Sequence, residues 1–517
     1  MSALTREANA AAPAPLPLPG IDVDMDIEPA VTTGAPVGRE AEPDIAADAA
    51  AGNDTLDFEP RALRRSTHDF AAQSPVRHLV IIAGGKGERL AHVTGGAPKA
   101  LVRVGGMPVL AHQLALARRH GIDRVTVFAG FAAERIVAFV DRTRDGEQDV
   151  DVRVEREPLG SAGALLAALP ALPEHFLVVY GDVMLSADLA RMARTHLARF
   201  ADVTALVHPN DHPHDSDLVE TDADGWIRAV HAYPHPAGRP FNNLVNAAVY
   251  VVRRDALLPL AARFGRCDFA RDVLPALVAA GGRVLGYRST EYAKDMGTPE
   301  RLARVEADWY AHRVARPDRG GYPAVLFDRD GTLNVDAGFI RSAAQIRLYP
   351  GTGAALRGLR QMGFRLAVLT NQPVIARGEA SEADVAEIHR ALEWQLGEEG
   401  AYVDGIYVCP HHPEGGFPGE RPELKIVCDC RKPATGLFEM ARRELDLDPA
   451  RTWMVGDTTR DLELARRAGI RSILVRTGEA GRDGLFATEP DFIVDDVAEA
   501  ARLIRTYAAA DAARMVG

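Results

Sequence analysis

Two aspartates separated by a single residue, Asp328-Arg329-Asp330, follow the apolar run Ala324-Val325-Leu326-Phe327 and precede Gly331-Thr332. One carboxylate in such a pair can attack phosphorus while the other handles the leaving-group proton, and the glycine lets the chain turn sharply out of a strand. Three further groups follow in order. Thr370-Asn371 offers hydroxyl and amide donors to phosphoryl oxygens, and Arg431-Lys432 offers fixed positive charge. Asp457, with Asp461 four residues later, offers carboxylates to a Mg2+ that bridges protein and phosphate. Each piece alone is ordinary, since strand-end aspartates often cap turns and Arg-Lys pairs are usually solvated. Their joint order points to phosphoryl chemistry.

Cys409-Pro410-His411-His412-Pro413 and Cys428-Asp429-Cys430 supply three thiolates and an imidazole, enough to close a tetrahedral structural zinc site. Either histidine can be the fourth ligand on chemistry alone. These cysteines lie among Pro, Gly and charged residues, which excludes an ordinary core role.

The N-terminal half carries a different set. Gly84-Gly85-Lys86-Gly87-Glu88-Arg89 follows an apolar run and precedes Pro98-Lys99. Glycines allow the backbone close to a nucleotide, and Arg89 and Lys99 can clamp a triphosphate. Asp182 ends Tyr180-Gly181-Asp182, and Asp295 lies just before Thr298-Pro299. Together the two carboxylates can hold Mg2+ between a nucleotide α-phosphate and an attacking sugar phosphate.

Strands must carry these groups to a common edge. Apolar runs predict strands at 76–83, 124–129, 176–180, 203–207 and 247–252, with a helix over 108–120. Thr298 as N-cap and Pro299 at the first helical position start a helix that runs to about 314. A second series begins at 324, with strands at 324–328, 365–370, 405–409, 453–456 and 472–476. The expected architecture is α/β: two independent, mainly parallel α/β domains over 76–314 and 322–517, joined by a turn-rich linker at 315–321. Residues 1–75, rich in Ala and Pro, show no sustained strand or helix periodicity and read as a disordered tail.

The whole chain of 517 residues has a net charge of −12. Residues 1–75 hold 13 Asp/Glu against 5 Lys/Arg, so most of the acidity belongs to the tail. That balance argues against a nucleic-acid surface. No apolar run reaches the length of a membrane span, and no basic-then-apolar N-terminus marks a secretory signal. Four cysteines are no disulfide framework, so a cytoplasmic setting is expected.

The C-terminal motifs resemble the haloacid dehalogenase superfamily of phosphatases. That resemblance makes Asp328 the nucleophile, Asp330 the general acid/base and Lys432 the phosphate-neutralising lysine, with Asp328, Asp330 and Asp457 around Mg2+. From 324 to about 496 the capless domain, its Cys/His loop, Cys-Asp-Cys-Arg-Lys-Pro and Ile375-Ala376-Arg377-Gly378 are similar to the D-glycero-D-manno-heptose 1,7-bisphosphate 7-phosphatases. The histidinol phosphatases share the zinc loop. The family pattern favours His411 over His412, giving zinc ligands Cys409, His411, Cys428 and Cys430. Pro373-Val374 stands where that family commonly has Ser-Gly.

Residues 76–314 resemble the sugar-1-phosphate nucleotidyltransferases, which implies a GT-A-like fold. It implies attack of a sugar 1-phosphate on the α-phosphorus of a nucleoside triphosphate, with pyrophosphate leaving and no covalent intermediate. Gly84, Gly85 and Gly87 then meet the nucleotide. The segment 157–163, with Gly160, contacts base and sugar, and Asn246 is a further match. Glu88 stands where the family usually has Thr, and Ala100 where it often has Pro. The two resemblances together imply a bifunctional enzyme of GDP-heptose synthesis. It would use Mg2+ and Zn2+ and bind small sugar phosphates and a nucleoside triphosphate, GTP favoured. Competing implications are another sugar 1-phosphate and phosphate ester, a histidinol phosphatase, or a sensor with an inactive N-terminal domain.

Overall fold

The computed structural model describes residues 73–236, 238–315 and 321–516. The tail expected over 1–75 lies outside them except for its last three residues, and the linker expected over 315–321 except for its two ends.

The N-terminal part contributes β1 (His78–Ala83), β2 (Arg103–Val104), β3 (Met107–Pro108), β4 (Arg124–Ala129), β5 (Asp149–Val154), β6 (His175–Tyr180) and β7 (Val183–Ser186). It continues with β8 (Val203–His208), β9 (Leu218–Thr221), β10 (Ile227–His231), β11 (Val245–Arg253), β12 (Val284–Arg288) and β13 (Tyr292–Asp295). The main sheet runs β10-β9-β11-β6-β1-β4-β5, with β8 paired to β11 and β12 to β8. The sheet is mixed rather than mainly parallel. β1 pairs in parallel with β4 and β6, whereas β11 is antiparallel to β6, β8 and β9. Strand direction depends on how the connections cross, which apolar runs do not record.

Successive residues of β1 feed opposite cores. Leu79 and Ile81 pack in one cluster beneath α1 (Val109–Arg119); Val80 packs in the other with Ala162, Leu165 and Leu166 of α2 (Gly160–Ala168). A strand buried on both faces is continuously apolar, which explains the run Leu79-Val80-Ile81-Ile82. Thr298 caps α3 (Pro299–Tyr310), its hydroxyl accepting from the Arg301 amide at 3.3 Å. The helix stops short of the expected 314 because His312 turns left-handed at φ 55°.

The C-terminal part contributes β14 (Tyr322–Phe327), β15 (Arg365–Asn371), β16 (Gly405–Cys409), β17 (Leu447–Gly456), β18 (Arg471–Val475) and β19 (Phe492–Val494). They form one parallel sheet in the order β16-β15-β14-β17-β18-β19. The order reverses between β14 and β17. A cleft opens at such a switch point beyond the carboxyl ends of the strands, and Asp328 and Asp457 flank it. Helices α4 (Glu382–Glu398), α5 (Gly436–Leu445) and α6 (Thr459–Ala468) cover the sheet.

The two parts meet along α4. Trp394 stacks edge-on against His214 with ring centroids 4.0 Å apart, and Phe241 lies 6.0 Å away. Glu393 accepts the Asn243 amide at 3.3 Å, and Arg288 donates to the Asp404 carbonyl at 2.8 Å. At Gly397 a Cβ would stand 2.5 Å from Pro213, so the helix and this loop approach as only glycine permits.

Candidate functional site

The end of β14 puts Asp328 beside Lys432, whose Nζ lies 2.7 Å from Asp328 Oδ1 and 2.6 Å from Asp461 Oδ1. Lys432 is 3% exposed at its side chain and Asp461 0%, so this is a desolvated ion cluster. The second oxygen of Asp461 closes a capping box at the start of α6, accepting the Thr458 amide at 3.2 Å and its hydroxyl at 2.6 Å. Asp328, Asp457 and Asp461 each bring a carboxylate oxygen within 4.8 Å of the other two. Burial, with Asp461 adding to it, lifts the Asp328 carboxyl to about 6 against the pull of Lys432. Burial, then Asp328 and Asp461, lift Asp457 to about 8. Three crowded carboxylates facing one lysine form a site short of positive charge.

Asp457 is held for that purpose. Its Oδ2 accepts the Glu479 amide at 2.8 Å, while Oδ1 is buried without a hydrogen-bond partner. Gly331 and Gly478 close around it: a Cβ on either would fall 2.2 or 2.1 Å from Oδ2, and both sit at positive φ (81° and 58°). An orphaned carboxylate oxygen in a cradle lined by glycines fits a cation ligand. The donor set therefore suits Mg2+.

The Asp330 carboxylate is held apart from the other aspartates. It stands outside the group that Asp328, Asp457 and Asp461 form. Four donors hold it: Arg329 Nε at 3.0 Å and Nη2 at 2.7 Å, Asn334 Nδ2 at 3.0 Å and Gln372 Nε2 at 3.0 Å. Burial works the other way, but the Arg329 guanidinium holds Asp330 below the usual carboxylate range. Arg329 itself is 0% exposed and passes its third donor, Nη1, to His389 Nε2 at 3.0 Å. Burial, then Arg329, push the His389 imidazole down to about 3, so it stays neutral and accepts.

Thr370, next to last in β15, is buried and accepts from Gln372 Nε2 at 2.8 Å. Asn371 was expected to face phosphoryl oxygens. Instead its carboxamide brackets the Lys432 main chain, Oδ1 accepting the amide at 2.9 Å and Nδ2 donating to the carbonyl at 3.1 Å. These two bonds seat the lysine, and they engage only one of the two Nδ2 hydrogens.

Beyond β16, Cys430 Sγ lies 3.2 Å from Cys409 Sγ and 3.3 Å from Cys428 Sγ, and Cys409 Sγ lies 3.6 Å from Cys428 Sγ. His411 Nδ1 is 3.2 Å from Cys430 Sγ and 3.7 Å from Cys409 Sγ. A tetrahedron with metal–sulfur bonds of about 2.3 Å has edges of about 3.7 Å, so these donors suit one ion. His412 points elsewhere, to the Glu414 carbonyl at 3.3 Å and Arg377 at 3.2 Å. The Arg431 amide donates to Cys428 Sγ at 3.3 Å, and its Nη1 donates to the His411 carbonyl at 3.2 Å. The Cys/His loop thereby fixes the residue next to Lys432.

In the N-terminal part, Lys86, Gly87, Glu88, Arg89 and Lys99 line a cavity of about 390 Å3 where β1 gives way to Gly84 and Gly85. Gly87 sits at φ 64°, and a Cβ there would press on Lys99 at 3.0 Å. Asp182 and Asp295 meet across the β7–β13 ribbon, where the Met296 amide donates to the Asp182 carbonyl at 3.0 Å. Their carboxylates are both ion-paired: Asp182 with Lys99 at 2.8 Å, Asp295 with both oxygens 2.9 Å from Arg301 Nη1. Burial acts against it, but Arg301 holds Asp295 below the usual carboxylate range. Gly160, at φ 78°, starts α2 against the Cys267 carbonyl. Asn246 is engaged within its own strand, donating to the Tyr250 hydroxyl at 2.8 Å and accepting the Ala248 amide at 3.1 Å around a bulge.

Sequence reasoning missed Arg329, Gln372, His389 and Gly478. Gln372 adjoins Thr370-Asn371 and could have been flagged by position; Arg329 reads as a solvated charge until its burial is seen.

Residues 78–311 match the nucleotidyl transferase family and residues 429–500 the HAD-hydrolase-like family. The D-glycero-beta-D-manno-heptose-1,7-bisphosphate 7-phosphatase of Haemophilus ducreyi is 44% identical over 162 residues, 31% of this chain and 86% of that protein. Among solved structures, the D,D-heptose 1,7-bisphosphate phosphatase from B. bronchiseptica is 32% identical, covering 36% of this chain and 99% of that one at a TM-score of 0.32. HddC from Yersinia pseudotuberculosis, complexed with GMP-PN, is 24% identical over 45% of this chain and 100% of that one, at a TM-score of 0.39. The chain belongs to the D-glycero-β-D-manno-heptose-1,7-bisphosphate 7-phosphatase family and is an enzyme that also carries a nucleotidyl transferase domain.

Proposed function

We propose that this chain catalyses two consecutive steps of GDP-heptose synthesis. It hydrolyses the 7-phosphate of D-glycero-D-manno-heptose 1,7-bisphosphate and then transfers GMP from GTP to the heptose 1-phosphate. The observation that carries the first step is the buried pairing of Asp328 with Lys432 beside Asp457 in a chain of this family. Asp328 attacks the 7-phosphorus, and the C7 oxygen leaves as the hydroxyl with a proton from Asp330, which is a carboxylate in the unliganded site and takes that proton up as substrate binds. Asp330 recovers that proton from the water that cleaves the aspartyl phosphate. Lys432 neutralises the phosphoryl oxygens. Asp328 and Asp457 would hold Mg2+, which supplies further charge neutralisation. Cys409, His411, Cys428 and Cys430 would hold a structural Zn2+ that keeps Arg431 in place.

For the second step, Arg89 and Lys99 receive the triphosphate, Lys99 leaving Asp182, and with Arg301 also turned away from Asp295 the two carboxylates would be free for Mg2+. Positioning and charge neutralisation account for the catalysis. GTP is favoured by the likeness of Leu159-Gly160-Ser161-Ala162-Gly163 to guanylyltransferases. The reaction takes place in the cytoplasm, with small molecules as partners. The test offers the purified chain each anomer of heptose 1,7-bisphosphate with each of the four nucleoside triphosphates, and measures phosphate and pyrophosphate separately. Both products are expected, pyrophosphate with GTP foremost. Phosphate without pyrophosphate from any nucleotide overturns the bifunctional reading.

A further inference from the structure

One buried contact chain joins the phosphatase centre to the seam with the transferase part. The Asp330 carboxylate is gripped at both oxygens by Arg329, through Nε at 3.0 Å and Nη2 at 2.7 Å. That grip uses one edge of the guanidinium and leaves Nη1 to be placed. His389 Nε2, on α4, accepts it at 3.0 Å. Without its third partner the buried Nη1 would be left an unsatisfied donor and the guanidinium would be drawn toward another acceptor, so His389 fixes the angle at which Arg329 presents Asp330.

The helix that carries His389 is fixed in turn by the other half of the chain. One turn further on, Glu393 accepts the Asn243 amide, and Trp394 is enclosed by His214, His235 and Phe241, with ring centroids 4.0, 6.3 and 6.0 Å away. Another turn on, Gly397 lets Pro213 approach the helix backbone. Residues four apart share a helix face, so a shift of α4 at Glu393 is a shift at His389. Rigid helices carry such displacements, because packed interiors do not absorb them locally.

We infer that His389 is a positioning residue for Asp330, and that α4 makes phosphatase turnover depend on its seat against the transferase part. This rests on the reading of Asp330 as the acid/base. The dependence is expected in turnover rather than in binding, since His389 touches neither Asp328 nor Lys432 among the described contacts.

The experiment measures phosphate release from heptose 1,7-bisphosphate by the full chain and three variants, with kcat and KM separated. His389→Leu removes the acceptor and is expected to lower kcat about tenfold with KM unchanged, the scale on which a misplaced catalytic group loses rate. His389→Gln, which can return an acceptor oxygen to Arg329 Nη1, is expected to restore most of that loss. Trp394→Ala, which alters only the seam, is expected to lower kcat in the same way, by about threefold on that scale. Pyrophosphate release by the His389 variants reports that each chain is folded. A wild-type chain that releases no phosphate refutes the phosphatase reading itself. A working wild type with an unaffected His389→Leu overturns the positioning role, as does a loss that Gln fails to restore. Unchanged kcat in Trp394→Ala overturns the dependence on the seam.

Discussion

Gly478→Ala is the sharpest perturbation the phosphatase centre offers. A Cβ at this position would stand 2.1 Å from Asp457 Oδ2 and 2.7 Å from the Gly331 Cα. Ordinary carbon–oxygen contacts are about 3.3 Å, so the carboxylate or the loop must retreat by about 1 Å. The residue also sits at φ 58°, where alanine costs roughly 1 kcal/mol more than glycine. The Glu479 amide that fixes Asp457 at 2.8 Å lies on the same loop, so retreat of the loop breaks that bond too. A misplacement of about 1 Å at a metal ligand predicts a loss of about a hundredfold in phosphate release and a raised Mg2+ requirement. Added strain of about 1–2 kcal/mol predicts a melting temperature lower by a few degrees. The assay is a Mg2+ titration of phosphate release, with pyrophosphate release as the control for folding. Wild-type kcat and an unchanged Mg2+ midpoint in Gly478→Ala would refute the account of the cradle.

Four further outcomes are expected. Asp457 lies near 8 and Asp328 near 6, so Mg2+ binding at pH 7 must expel about one proton, seen as buffer-dependent heat in calorimetry, and affinity must rise from pH 6 to 8. Both carboxyls bind protons more tightly folded than unfolded, so their contribution to metal-free stability is complete below about pH 4 and lost as pH rises through 8; the Mg2+-free melting temperature should fall from pH 5 to 8, and a rise there would contradict the crowding. Cys430→Ser should lower bound zinc, counted by elemental analysis, from one equivalent towards zero; retention of a full equivalent would place the metal elsewhere. Lys99→Ala should reduce pyrophosphate release by about a hundredfold while leaving phosphate release within about twofold; equal loss of both would contradict separate centres.

How much of this was legible beforehand depended on whether a role is local in sequence. Asp328 and Asp457 could be placed because each follows an apolar strand directly, and a parallel sheet brings strand ends to one edge. The Cys/His loop could be read because ligand type and number specify a tetrahedral site. Roles that depend on distant partners could not be. Asn371 looks like a free donor until the chain folds back 61 residues to put Lys432 against it. Arg329 looks like a surface charge until His389, 60 residues on, appears beside it. Gly478 follows a strand and reads as a turn; its reason lies in Asp457. The mixed sheet of the N-terminal part is of the same kind, since the reversal at β11 is made by connections that carry no periodic signal.

The central claim is that one chain performs two steps in order, and Asp328→Asn tests it most directly. Offered heptose 1,7-bisphosphate and GTP, the wild-type chain is predicted to release phosphate and then pyrophosphate in equal amounts. The variant is predicted to release neither from the bisphosphate, yet to release pyrophosphate at the wild-type rate when given heptose 1-phosphate. Wild-type pyrophosphate release from the bisphosphate by Asp328→Asn, or none from the 1-phosphate by either protein, would contradict it.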